Sequence, residues 1–100
     1  MRVLVRVMIP VAAGNKMVKD PNFLKNLEDY LKKFNCEASY FTPVNGIRSM
    51  VLVLDLPSTE MIPDLVEPLF QGYEANVEIH PAMNLDDLKK EPPAEEKNKK

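Results

Sequence analysis

The sequence predicts an α+β fold in the order β-α-β-β-α-β, an antiparallel sheet of four strands with both helices on one face. Three observations carry this. Residues 20–35 and 58–72 each repeat apolar side chains at helical spacing. Runs rich in β-branched residues flank both stretches. The two middle runs are joined by Asn45-Gly46, the dipeptide that a tight hairpin turn favours because both central residues need positive φ.

The first strand is read over Arg2–Ile9. Val3, Val5, Val7 and Ile9 form one apolar, β-branched face, and Arg2, Leu4, Arg6 and Met8 form a mixed one. Pro10 closes the strand. "VAAGNK" then reads as a loop, with Asn15–Lys19 adding at most a short helical turn. Its lone glycine lacks the spacing of a phosphate-binding loop, so a plain connector is expected. The first main helix is expected to start with Asp20 as N-cap and Pro21 as first helical residue. Its stripe is Phe23, Leu24, Leu27, Tyr30, Leu31 and Phe34, and Asn35 is its stop.

About the Asn45-Gly46 turn, a two-residue loop sets the register. Tyr40 faces Val51, Thr42 faces Ser49 and Ala38 faces Val53 on one side of the sheet. Ser39, Phe41, Met50, Leu52 and Leu54 fall on the other. The second helix is capped by Ser58 and buries Met61, Ile62, Leu65, Val66, Leu69 and Phe70. Pro63 and Pro68 predict a kink or two short pieces, and Gly72 a stop. The last strand, about Glu74–Pro81, turns Val77 and Ile79 one way and Glu78 and His80 the other. Asn84 then caps a turn, "LDDLKK".

Right-handed crossovers place these strands in the order 4-1-3-2, the ferredoxin-like sandwich. Residues 1–90 form the domain. The tail 91–100, "EPPAEEKNKK", is proline and charge and is expected to be disordered. With both helices on one face, the other carries Leu4, Met8, Ala38, Tyr40, Val51 and Val53, together with Arg6, Thr42, Ser49, Glu78 and His80. At ~4.8 Å between strands and ~20 Å along them, this face spans about 400 Å² in projection. A half-apolar area of that size is rarely left in water, and a second copy packed sheet to sheet would cover it. A homodimer is therefore expected.

Composition narrows the function. The chain has 100 residues, 45% of them apolar, and a formal charge of −2. That is one domain's worth, without the basic face that bulk electrostatic binding of nucleic acid requires. The single cysteine, Cys36, excludes an intrachain disulfide and fits a reducing compartment. Arg2 and Arg6 interrupt the apolar N-terminal stretch, so no signal peptide is read there. No membrane span is visible, and the expected location is the cytoplasm.

The segments "EASYF", "EPLF" and "HPAMNLDDL" resemble those of a family of short, uncharacterised microbial proteins, over about residues 1–90. The layout resembles the dimeric α/β-barrel superfamily, which includes antibiotic-biosynthesis-type monooxygenases and stress-responsive A/B-barrel proteins. The resemblance implies a fold and a dimer. Haem-degrading oxygenases of similar fold use an Asn, a His and a Trp. This chain has no Trp, and that activity is not carried over.

Two constellations on the open face are candidates for ligand binding or for the interface. Arg6, Glu78 and His80 combine a base, its orienting carboxylate and a cation, and they would equally set dimer register. Tyr40, Ser49 and Thr42 offer hydroxyl groups. No residue set has metal-ligand spacing, and no cofactor is implied. The expected function is a small cytoplasmic homodimer that holds a partly apolar small molecule between sheet and helices or in the dimer lumen. The alternatives are a cofactor-independent monooxygenase- or isomerase-like enzyme and a structural or protein-interaction module.

Overall fold

The computed structural model describes residues 1–90; the charged stretch 91–100, expected to be disordered, lies outside them. The elements are β1 (Arg2–Met8), α1 (Val11–Lys19), α2 (Phe23–Lys33), β2 (Ala38–Val44), β3 (Ile47–Asp55), a 3₁₀ turn (Thr59–Met61), α3 (Ile62–Tyr73), β4 (Asn76–Pro81) and α4 (Leu85–Lys90). The four strands pair antiparallel in the order β2-β3-β1-β4, the expected ferredoxin-like arrangement with the sheet open at both edges.

Strand alternation decides which side becomes the core. Val3, Val5 and Val7 of β1 and Met50, Leu52 and Leu54 of β3 are buried, as are Leu27 and Phe34 from the α2 segment and Leu65, Val66 and Leu69 of α3. Tyr30 joins them with its ring tilted on Phe34, centroids 4.9 Å apart, and its hydroxyl donates to the Leu65 carbonyl at 2.7 Å. That bond ties α2 to α3 while satisfying a polar group in apolar surroundings. The Asn45-Gly46 turn has φ of 53° and 77°, the positive pair the sequence demands. Asn35 ends α2 with φ of 51°.

Four local expectations are corrected. Residues 11–19 form one continuous helix rather than a loop followed by a short turn at Asn15–Lys19. Pro10 sits ahead of the first turn, where its missing N–H costs nothing, and Ala12, Ala13, Lys16 and Met17 are good helix formers. The first crossover is thus two helices, α1 and α2. The helix α2 starts at Phe23 rather than Pro21: Asp20 instead accepts the Asn22 N–H at 2.9 Å and closes a turn before it. Ser58 precedes the 3₁₀ turn, so Pro63 falls in the first turn of α3 and is harmless; Pro68 alone lies inside that helix. Gly72 does not stop α3. The left-handed residue is Glu74, φ 52°, whose N–H donates to the Phe70 carbonyl at 3.0 Å.

The cap expected at Asn84 is present. The Asp87 N–H donates to Asn84 Oδ1 at 2.8 Å, and the Asn84 N–H donates to Asp87 Oδ2 at 3.0 Å. This reciprocal pair holds the short α4.

Candidate functional site

Register places the open-face residues in rows across the sheet. Tyr40, Val51, Arg6 and Glu78 form one row, and Ala38, Val53, Leu4 and His80 the next. Thr42, Ser49 and Met8 form a third. Every sequence candidate therefore lies on this face.

Arg6, Glu78 and His80 meet. Glu78 Oε1 lies 3.5 Å from Arg6 Nη1 and 3.1 Å from His80 Nε2. One carboxylate oxygen serves two partners because β1 and β4 are neighbours and Glu78 and His80 are two residues apart on one strand. All three side chains are part-exposed, so water screens the cluster in a single chain. The hydroxyl set is looser. Tyr40 is 67% exposed on the edge strand. Ser49 is buried, and its hydroxyl donates to the Ile47 carbonyl of its own strand at 3.1 Å.

At the far end of β1, Arg2 reaches Asp87 Oδ2 at 2.6 Å and Glu37 Oε1 at 3.3 Å. The Asn84 N–H, and then Arg2, hold the Asp87 carboxyl below the usual carboxylate range. Burial pushes the Cys36 thiol up, which keeps it protonated and a poor nucleophile. Among the described residues, no group of three His, Cys, Asp or Glu side chains is placed to hold a metal ion, and no helix is long and apolar enough to cross a membrane.

The helix side of the sheet holds a feature that the strand pattern alone did not reveal. A groove of about 610 Å³ runs between α1, the start of α2 and the β2–β3 hairpin. Val11, Val18, Phe23, Leu24, Phe41 and Ile47 supply its apolar wall. Leu24 is 74% exposed, and Val11 and Phe41 are each 55% exposed, so large side chains that would ordinarily be covered stand open along one channel. Among the described residues, the only charged side chain along it is that of Arg48. Its Nη1 donates to Asn15 Oδ1 at 3.0 Å, across from the hairpin to α1. Gly14 makes this crossing possible: a Cβ there would stand 2.9 Å from Arg48 Nη1 and 3.2 Å from its Cδ. A sequence signal existed. The hairpin register puts Arg48 on the same side as Met50, Leu52 and Leu54, an odd place for a charge.

No family model matches the sequence, and no curated protein matches it. Among solved structures, the X-ray crystal structure of protein Atu4242 from Agrobacterium tumefaciens, a structural-genomics target, aligns with a TM-score of 0.44 at 14% identity. The alignment covers 85% of this chain and 96% of that one.

Proposed function

We propose that the chain works as a homodimer that binds a small, partly apolar molecule, its two copies packed through the open sheet face and its ligand held in the groove between α1, α2 and the β2–β3 hairpin. The observation that carries this is the groove itself. It lies within the usual size range of small-molecule sites, it is walled by apolar side chains, and few polar groups face it. The dimer reading rests on the opposite face, where Leu4, Met8, Val51 and Val53 are only half-covered by their own chain. In it, the Arg6–Glu78–His80 cluster fixes the register of the two sheets, and Tyr40 packs at the rim. The superfamily of dimeric α/β barrels is the setting this reading fits.

Titration of the isotopically labelled protein with octan-1-ol, followed by amide NMR, tests the ligand site. Shifts are expected at Val11, Val18, Leu24 and Phe41. Shifts confined to Leu4, Val51 and Val53 would move the site to the dimer lumen, and no saturable shift anywhere would refute small-molecule binding.

One observation favours a second reading, a cofactor-independent enzyme. Glu78 Oε1 holds His80 and Arg6 together, as an orienting carboxylate would hold a general base beside an anion-binding group. His80→Gln separates the two. Under the interface reading it weakens the dimer; under the enzymatic reading it leaves the dimer intact.

A further inference from the structure

Among the described residues Arg48 is the one charged side chain lining a mainly apolar groove, and the chain is arranged to place it there. Its partner Asn15 is neutral, and no carboxylate lines the groove among the described residues. Without a carboxylate beside it among the described residues, the guanidinium favours an anion over a neutral ligand of the same apolar chain. Gly14 is the second sign. A glycine inside a helix costs about 1 kcal/mol relative to alanine. Here it sits buried under the Arg48 side chain, which could not lie where it does over a Cβ. α1 starts beside the groove: no side chain caps it at Pro10, and Ile9 and Val11, on either side of that start, both line the groove.

From these we infer that the groove takes an amphiphilic monoanion, an apolar chain or ring ending in a carboxylate, with its head group on Arg48 and its apolar body along Phe41, Leu24 and Val18. This rests on the groove being the ligand site. Guanidinium and carboxylate match in a two-pronged, charge-assisted pair, and the guanidinium has donors beyond the one that Asn15 takes.

The experiment compares octanoate with octanamide, which share a chain and differ in charge, in parallel amide-NMR titrations of the wild-type protein, Arg48→Gln and Arg48→Lys. Octanoate is expected to shift Phe41, Leu24 and Gly46 and to bind about tenfold or more tightly than octanamide. Arg48→Gln is expected to erase that difference, and Arg48→Lys to retain part of it. Equal binding of the two probes to the wild-type protein would overturn the anion assignment while leaving the groove as a site. An unchanged preference in Arg48→Gln would overturn the role of Arg48. Binding of neither probe would overturn the groove itself. Amide spectra of the free variants report that each is folded.

Discussion

The two faces of the sheet carry similar numbers of apolar side chains and have different fates. On the helix side, Val3, Val5, Val7, Leu52 and Leu54 are sealed under α2 and α3. On the open side, Leu4 stands opposite Val53 and Arg6 opposite Val51; Leu4, Val51 and Val53 are only half-covered, with Arg6, Glu78 and His80 among them. The sealed face holds the fold together. The open face mixes charge into its apolar area, as the sealed face does not. The helix layer has its own gap: α1 and the start of α2 leave the groove beside Phe41 uncovered. Sealed and half-covered side chains thus alternate by strand parity, one residue apart along β3.

The largest effect expected from this division is at Leu52. Leu52→Ala removes a fully buried side chain and is expected to destabilise the chain by about 2–5 kcal/mol in urea unfolding. Its neighbour Val51 points the other way, and Val51→Ala is expected to cost less than about 1 kcal/mol when measured on the single chain at high dilution. Equal losses at the two positions would erase the distinction between the faces.

A smaller effect is expected where Gly14 and Arg48 touch. Gly14→Ala in the wild-type protein gains helix propensity but displaces the Arg48 side chain, so little net change in stability is expected. In an Arg48→Ala background the same substitution is expected to stabilise by about 0.5–1 kcal/mol. The double-mutant cycle measures the difference as a coupling between the two sites. A coupling of zero would mean that Gly14 does not make room for Arg48.

The smallest effect concerns acid. Asp87 titrates below the usual carboxylate range because the Asn84 N–H and Arg2 favour its charged form. Its folded value is lowered, so its contribution is complete above the unfolded value of about 4 and is lost as pH falls through the lower folded value. The amide shifts of Asn84 and Asp87 are expected to hold steady on acidification to about pH 4 and to move together below it. In Arg2→Gln the movement is expected to begin at higher pH. An identical profile in that variant would remove Arg2 from the α4 cap.

The order of elements and the strand register were legible in the sequence because both rest on local signals: the period-two runs, the stripe from Phe23 to Phe34 and Asn45-Gly46. The grouping of Arg6 with Glu78 and His80 followed from topology and parity. The helix α1 was not legible, because a glycine in nine residues reads as a break unless the side chain that crosses it is known. The same long-range contact, Gly14 beneath Arg48, hid the groove. The stop at Glu74 rather than Gly72 was missed because α3 continues one residue past the glycine, and Glu74, not Gly72, takes the left-handed conformation that ends it.

The claim that the open face is an interface between copies is tested most directly by sedimentation equilibrium over a range of micromolar concentrations. A species of twice the 11.4 kDa chain mass is expected, and its loss in Val53→Lys, which places a charge between Leu4 and Ala38. A stable, non-aggregating species of single-chain mass across that range would contradict it.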